Sequence, residues 1–238
     1  MSSERTTAGP RRRGGSEHLT VSVEDYLKAI YDIERDGGVG GTNDIAARLQ
    51  VAPASVSGMV KRLADQGLLH YARYKGVTLT AAGRRAALQT IRRHRIIESY
   101  LALVLGYPWD RVHDEAERLE HAASDELVDR MAQAIGDPAT DPHGAPIPTR
   151  EGRVAESHRQ PLAACGDGTR VTVAGVSDRD AEALRTLGGL GLVPGVQVTV
   201  VAHRGAGGAV QVTVHGAQDA GDRDCQVPAA LAALVYVA

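Results

Sequence analysis

The sequence predicts a mostly α-helical protein that ends in a small all-β domain. Apolar residues recur at helical spacing over much of residues 22–135. Residues 168–238 instead alternate apolar and polar residues in four short runs, as strands do. Between these patterns, residues 139–167 are rich in Pro, Gly and polar residues and are predicted to be a linker. At 238 residues the chain is long enough for two domains.

The first segment, residues 1–18, is rich in Ser, Thr, Gly and Arg and includes three consecutive arginines at positions 11–13. This composition predicts a disordered basic arm, because it offers no apolar surface to bury. The arm is either a solvated tail or an extension that contacts phosphates or the minor groove of a nucleic acid.

Residues 19–83 are predicted to form a winged helix-turn-helix domain. An amphipathic helix is followed by two shorter helices around a tight turn, and then by two alternating runs. The predicted elements are helices over residues 22–36, 42–49 and 54–66, and strands over residues 68–71 and 77–80.

The second helix of this helix-turn-helix motif carries the residue types that read DNA. Small and hydroxyl side chains can lie close to base edges, and basic side chains can contact phosphates. The net charge of −2 provides no global attraction to nucleic acid, so any contact with double-stranded DNA must be local. The candidates are Ala54, Ser55, Ser57 and Gly58 for bases, and Lys61, Arg62, Arg73 and Lys75 for phosphates. A purely structural helix-turn-helix is the alternative.

Residues 84–138 are predicted to be a helical domain. The long helix over residues 81–105 ends in the apolar run Tyr100–Leu105, which exceeds what one helix face buries within a monomer and indicates a helix–helix interface in a homodimer. A second helix is expected from Trp109 to about Ile135.

Histidines and carboxylates share one stripe of this second helix. At about 100° per residue, His113, Glu117, Glu120 and His121 point the same way. His94 and Glu98 lie one turn apart on the preceding helix, so two antiparallel helices could offer nitrogen and oxygen ligands to a divalent cation. The stretch contains no cysteine, which argues against a structural zinc site. The alternative is a solvated acidic face.

The last segment, residues 168–238, is predicted to be a small β-barrel interrupted by one short helix over residues 178–190. Two cysteines are too few for a disulfide framework, and no apolar run approaches the roughly 20 residues of a membrane span. With no signal peptide visible, we expect a cytoplasmic protein.

In order along the chain, these motifs resemble the diphtheria toxin repressor family of metal-activated bacterial regulators. The most specific matches are Arg93-His94-Arg95 with Glu98, and the run His113–His121 with Ser124-Asp125-Glu126. The segments Asp141–Pro148 and Gly191–Gly195 also fit. The resemblance covers about residues 20–238 and implies a dimerisation and metal-sensing helical domain followed by an SH3-like (FeoA-like) barrel.

The resemblance also implies two metal sites. The primary site would comprise Asp25, His94, Glu117, Glu120 and His121. The ancillary site would comprise Glu98, His113, Asp141, His143 and Asp178. The chain departs from relatives at two positions: Lys28 replaces an acid of the short manganese regulators, and Gly175 replaces an acidic barrel ligand of the iron branch.

Asp25 and Glu117 stand where the iron branch has Met and Cys, as in the manganese branch. Mn²⁺ is hard and binds weakly in the divalent series, so oxygen-rich sites suit it. The expected protein is a homodimeric, Mn²⁺-dependent repressor of metal-uptake genes that binds a palindromic operator. Co²⁺ or Zn²⁺ could activate it in vitro.

Three other functions are alternatives. Two are a Fe²⁺-dependent regulator of the same family and a DNA-binding regulator that senses a non-metal ligand. The third, a metalloenzyme, is disfavoured because the sequence has neither HExxH nor the paired Glu-x-x-His of di-iron bundles. The sequence therefore predicts a protein that is not an enzyme.

Overall fold

The computed structural model describes residues 19–72, 76–155, 159–204, 208–216 and 221–238. The predicted fold class, mostly α with a small all-β domain, is confirmed. The N-terminal arm and the wing residues Arg73 and Lys75 lie outside the described residues. In the part of the chain that the structure describes, no helix has both the length and the apolarity to cross a bilayer.

The N-terminal part forms the expected winged helix-turn-helix. Its elements are α1 (Val21–Arg35), α2 (Thr42–Leu49), α3 (Pro53–Asp65), β1 (Leu69–Ala72) and β2 (Gly76–Leu79). The two strands pair antiparallel, and the fully buried side chains of Leu27, Ile30, Ile45 and Leu63 lie in a core shared with the next helix. Most of the hydrophobic positions that predicted these helices are therefore core positions.

The long helix α4 (Ala81–Leu103) links the winged domain to the metal-binding candidates. Its first turn is capped by Thr80, whose hydroxyl accepts a hydrogen bond from the Gly83 amide at 3.0 Å. A Cβ at Gly83 would lie 2.0 Å from the Leu68 carbonyl oxygen, so only glycine lets the helix approach the wing this closely. The helix ends two residues earlier than expected, and Leu103, Val104 and Leu105 are exposed.

The predicted single helix from Trp109 to Ile135 is wrong: the segment forms two helices, α5 (Val112–Leu119) and α6 (Asp125–Ala134). Ser124 caps α6 by accepting a hydrogen bond from the Leu127 amide at 3.2 Å, and two acidic residues in the first turn favour a new helix start. Glu120 and His121 therefore lie in the turn after α5, not on a continuous stripe.

The C-terminal domain is a six-stranded antiparallel sheet in the order β3-β8-β4-β5-β6-β7. Its elements are β3 (Gln160–Pro161), β4 (Arg170–Val176), α7 (Ala181–Leu190), β5 (Gln197–Arg204), β6 (Ala209–Val214), β7 (Arg223–Val227), α8 (Ala229–Ala232) and β8 (Val235–Val237). Two strands, β3 and β7, were not predicted, because one is only two residues long and the other is mostly polar.

The predicted linker, residues 139–167, has two structural parts. Leu162 and Cys165 are buried in the core of the C-terminal domain, so residues 160–165 belong to that domain. The preceding part lies against α4, where Arg95 donates a hydrogen bond to the Pro146 carbonyl at 2.6 Å and Arg92 donates one to the Pro148 carbonyl at 3.1 Å. The basic residues of α4 thus hold the linker in place.

The linker also contacts β4. The Val176 amide donates to the His143 carbonyl at 2.8 Å, and Arg159 donates to the Gly144 carbonyl at 2.7 Å. Gly144 has φ +88°, and a Cβ there would lie 2.3 Å from the Ala174 carbonyl oxygen. This close approach places Asp141 and His143 between α4 and the C-terminal domain.

Candidate metal centre

Two side-chain clusters meet on α4. We call Asp25, His94, Glu117, Glu120 and His121 the primary cluster, and Glu98, His113, Asp141, His143 and Asp178 the ancillary cluster. The structure brings all ten predicted residues into groups of three or four whose candidate ligand atoms lie within 4.8 Å of one another. His94 belongs to groups on both sides.

On one side of the primary cluster, His121 is held between two carboxylates of α1. Its Nδ1 lies 2.6 Å from Glu24 Oε2, and its Nε2 lies 2.9 Å from Asp25 Oδ1. Hydrogen bonds to Asp25 and Glu24 raise the pKa of His121 to about 9. Arg93 lies 2.5 Å from Glu24 and donates to the Glu120 carbonyl at 3.1 Å. Glu24 and Arg93 therefore orient His121 and the turn after α5.

Lys28 lies on the other side of the primary cluster. Its Nζ is 2.5 Å from Glu117 Oε1, 3.0 and 3.1 Å from the two oxygens of Glu120, and 3.4 Å from His94 Nδ1. Burial by itself would lower the pKa of Lys28, but Glu120 and Glu117 raise it above its ordinary value. An ammonium group thus lies among three candidate ligands.

His94 connects the two clusters. Its Nδ1 lies 2.5 Å from Glu120 Oε2, and its Nε2 lies 3.0 Å from Glu98 Oε1 and 3.1 Å from His113 Nδ1. Burial opposes a charge on His94, but Glu98 and Glu120 raise its pKa to about 10. Because a protonated imidazole has no lone pair, metal binding through His94 must release a proton.

The ancillary cluster contains a histidine with a free acceptor. His143 Nε2 lies 2.7 Å from the Trp109 carbonyl oxygen, which can only accept, so Nε2 must carry a hydrogen. In the neutral ring Nδ1 is then the lone-pair atom, and it lies 3.8 Å from Glu98 Oε1. Backbone carbonyls orient many metal-binding histidines in this way.

Three buried atoms of the ancillary cluster have no hydrogen-bond partner among the described residues: Glu98 Oε2, Asp141 Oδ2 and His143 Nδ1. Unpaired buried polar atoms are rare in native proteins because each loses its hydration without compensation. Asp141 Oδ1 is fixed by the amides of His143 and Ala145, each at 2.9 Å. Burial and the adjacent Glu98 raise the pKa of Asp141 to about 7.

The ancillary cluster is completed by His113 and Asp178. His113 Nδ1 lies 3.3 Å from Glu98 Oε1 and 3.7 Å from Asp178 Oδ2. Burial alone would raise the pKa of Glu98, but His94 and His113 lower it below its usual range. A Cβ at Gly175 would lie 2.8 Å from Arg159 and 3.0 Å from the His143 carbonyl oxygen, so a side chain there would displace the linker.

The chemistry of these ligands fits a hard divalent cation. All ten candidates offer oxygen or nitrogen, the atoms that Mn²⁺, Fe²⁺ and related ions accept, and none offers sulfur. Glu98, Asp141 and His143, whose side chains carry the three atoms without hydrogen-bond partners, form one buried group of candidate ligands. The residues present therefore fit the metal that the fold implies.

The candidate DNA surface is the exposed face of α3. Val56, Val60 and Leu63 face the core, and the opposite face is open to solvent. That exposed face carries all six of the predicted residues that the structure describes: Ala54, Ser55, Ser57, Gly58, Lys61 and Arg62. A Cβ at Gly58 would contact nothing within 4 Å, so no contact within the described residues requires a glycine there.

Sequence reasoning did not predict the contacts of four groups at the site. These are Glu24 beside His121, the Nζ of Lys28 inside the primary cluster, the Trp109 carbonyl that orients His143, and Arg95, whose Nε lies 3.4 Å from Asp141 Oδ2. The sequence offered two signals: Glu24 and Lys28 lie one turn apart on α1 beside Asp25, and Arg95 adjoins His94.

Comparison with known proteins gives a consistent result. Sequence models of three families match: "Iron dependent repressor, N-terminal DNA binding domain" over residues 18–77, "Iron dependent repressor, metal binding and dimerisation domain" over residues 80–149, and "FeoA domain" over residues 160–238. The iron-dependent repressor IdeR of Mycobacterium leprae is 39% identical over 130 residues, 55% of this chain and 56% of that protein. The alignment thus spans about half of that relative.

Other relatives match over most of their length. The diphtheria toxin repressor of Corynebacterium efficiens is 30% identical over 197 residues, 79% of this chain and 86% of that protein. A solved manganese-dependent transcriptional repressor in complex with manganese superposes with a TM-score of 0.82 at 38% identity, covering 90% of this chain and 98% of that one. ScaR with bound Zn²⁺ superposes with a TM-score of 0.76 at 30% identity, covering 91% of this chain and 98% of that one. The resemblance inferred from the sequence is confirmed, and the chain belongs to the diphtheria toxin repressor family, a family of metal-dependent DNA-binding repressors and not of enzymes.

Proposed function

We propose that this protein is a cytoplasmic, homodimeric repressor that Mn²⁺ activates to bind a palindromic operator near metal-uptake genes. The primary cluster and the ancillary cluster hold the metal, and α3 reads the DNA. The observation that carries the proposal is the ancillary cluster, where the buried atoms His143 Nδ1, Glu98 Oε2 and Asp141 Oδ2 have no hydrogen-bond partner within the described part of the chain. A divalent cation is the ligand that satisfies such a set of acceptors.

The proposed mechanism couples metal to the position of α1. Asp25 lies on α1, Glu117 on α5, and Glu120 and His121 in the turn that follows α5. When bound, the ion supplies a concentrated positive charge that attracts carboxylates from both sides. Because α1 packs on α2 in the same core as α3, fixing α1 fixes the recognition helix. Metal favours the DNA-competent spacing only if that arrangement binds it better.

Other residues of the chain orient the metal ligands before an ion binds. Glu24 and Arg93 orient His121, and the Trp109 carbonyl holds His143 with Nδ1 free. In the homodimer, two recognition helices about 34–36 Å apart would enter successive major grooves. The exposed apolar residues Leu103, Val104 and Leu105 are the proposed dimer contact.

The choice of Mn²⁺ over Fe²⁺ rests on Asp25 and Glu117, two hard oxygen ligands. Asp25→Met combined with Glu117→Cys should shift activation toward Fe²⁺ or Co²⁺. DNA affinity is measured anaerobically with Mn²⁺, Fe²⁺ and no metal. An unchanged Mn²⁺ preference in the double variant would refute this selectivity argument, and activation by Fe²⁺ alone in the wild type would assign the protein to iron.

The role of α3 is tested by separating hydrogen bonds to bases from ion pairs with phosphates. Ser55→Ala and Ser57→Ala should each weaken specific binding by roughly 1–3 kcal/mol for each hydrogen bond to a base that the variant cannot form. Lys61→Ala should weaken binding to all sequences and reduce the salt slope by about one. Equal losses of affinity for operator and random DNA in the Ser variants would exclude base readout by α3.

A further inference from the structure

The Nζ of Lys28 lies among three side chains that could hold an ion together, His94, Glu117 and Glu120. It lies within 3.1 Å of both carboxylates and 3.4 Å from His94 Nδ1. We propose that Lys28 is an internal cation that takes the place of one divalent ion, so that the primary cluster binds one ion and not two. This inference rests on the proposed function, because it concerns the same metal site.

The burial of Lys28 argues against an incidental surface ion pair. Its side chain is 17% exposed and Glu120 is fully buried. Taking an ammonium group out of water is costly unless several acceptors surround it, and exposed lysine pairs contribute little. Here two carboxylates lie within hydrogen-bond distance of Nζ, an arrangement that compensates for the lost hydration.

The charges around the primary cluster support a single ion. Four carboxylates, from Glu24, Asp25, Glu117 and Glu120, face the two cations Lys28 and Arg93. Two negative charges remain, which one divalent ion neutralises when the histidines bind it as neutral ligands. A second divalent ion would leave an excess of two positive charges in a partly buried site.

The geometry indicates where the single ion binds. Asp25, Glu120 and His121 form a separate group of candidate ligands, and of these three described residues only Glu120 lies within hydrogen-bond distance of Lys28. Lys28 thus takes the position that a second ion beside His94 and Glu117 would need, and the single ion binds from the side of Asp25 and His121. It also ties α1 to α5 before any metal binds, and so raises the metal concentration at which binding changes the structure.

The test counts Mn²⁺ ions per full-length chain and measures their binding midpoints from the electron paramagnetic resonance signal of free Mn²⁺. Lys28→Glu should bind one more ion than the wild type. Lys28→Met should bind its primary ion at least about tenfold more tightly, because a unit positive charge next to the ion is gone. Each variant is also made in a His143→Ala background, where weakened ancillary binding leaves the primary ion resolved.

Two controls separate the effect of the positive charge of Lys28 from other effects of the substitutions. Lys28→Arg keeps the charge and should keep the wild-type stoichiometry and midpoint. Arg130→Met removes an exposed cation that pairs with Glu126 outside both clusters, and it should also keep them. Thermal unfolding gives an independent readout: Mn²⁺ should raise the Tm of Lys28→Met more than that of the wild type, because the metal-free variant lacks its compensating cation. Lys28→Gln replaces Lys28→Met if the latter does not fold.

Unchanged stoichiometry, midpoint and Mn²⁺-induced Tm shift in the Glu, Met and Gln variants would overturn the inference. So would a gain in affinity in Lys28→Arg equal to that in Lys28→Met. Failure of the proposed function looks different: the wild type would bind no Mn²⁺, or Glu120→Gln would bind it as the wild type does.

Discussion

His94 connects the primary and ancillary clusters, but the two clusters differ in how many of their buried ligand atoms have partners without metal. In the primary cluster, Lys28 and Arg93 lie against the carboxylates, and the candidate ligand atoms there already have partners. In the ancillary cluster, three buried atoms of Glu98, Asp141 and His143 have no hydrogen-bond partner in the described part of the chain. Both clusters offer similar ligands, but among the described residues only the ancillary cluster leaves buried ligand atoms without a hydrogen-bond partner.

This difference separates two ways of preparing a metal site. A site whose ligand atoms already have partners within the protein is stable without metal, but the ion must compete with those partners. A site that leaves acceptors unpaired costs stability without metal and gains most when the ion binds. We therefore expect the ancillary cluster to dominate the affinity and the primary cluster to couple that binding to α1.

The largest expected effect comes from removing the central ancillary ligand. Glu98→Gln removes a buried charge that contacts His94 and His113, so Mn²⁺ affinity should fall by more than about 100-fold, beyond the effect of losing an outer hydrogen bond. Isothermal titration calorimetry measures the loss. Glu115→Gln, which removes an acid of α5 paired with Arg118, is the matched control. Equal affinities for the two variants would break the distinction between the clusters.

A smaller effect is expected from substituting Glu24, which orients the primary ligand His121 but is not itself one of the predicted metal ligands. Glu24→Gln weakens the hydrogen bond to His121 Nδ1 and the ion pair with Arg93, and should lower Mn²⁺ affinity about tenfold. Asp32→Asn, on the same helix and paired with Arg48, should leave the affinity unchanged. A loss as large as that of Glu98→Gln would mean that the primary cluster dominates instead.

The smallest expected effect is on the stability of the metal-free protein, which the buried carboxyl of Asp141 in the ancillary cluster should lower. Burial raises the pKa of Asp141 to about 7, so between its ordinary value near 4 and pH 7 the folded state keeps a proton that the unfolded state releases. That carboxyl therefore lowers the free energy of unfolding as pH rises, and the penalty is complete above pH 7. Asp141→Asn should leave stability unchanged below pH 4 and add about 1–3 kcal/mol at pH 8.

Urea unfolding in the presence of a chelator measures this effect for the wild type and Asp141→Asn. Asp114→Asn, which replaces an exposed carboxyl of α5, should show no such pH-dependent gain. If Asp141→Asn destabilised the metal-free protein equally at pH 4 and pH 8, the ancillary cluster would not carry the burial cost that distinguishes it from the primary cluster.

Much of the fold could be predicted because it depends on local patterns. Helical periodicity located α1 to α4, although the structure shows no side-chain cap at the start of α1, α2 or α3, and alternation located most strands of the C-terminal domain. The break between α5 and α6 was missed, because helical periodicity continues across it although Ser124 starts a new helix. Strand β7 was missed because its mostly polar residues lack the apolar alternation of its neighbours.

The sequence by itself determined which ligand atoms are available: oxygen and nitrogen, without sulfur, at Asp25, His94, Glu117 and the other predicted positions. Only the tertiary structure decided which charged groups and hydrogen-bond partners lie next to these ligand atoms. Lys28 reaches Glu117 and Glu120 across 89 and 92 residues, and the Trp109 carbonyl orients His143 across 34 residues. Helical and strand periods describe neighbours along the chain, whereas the partner of a buried charge is set by the packing of distant elements.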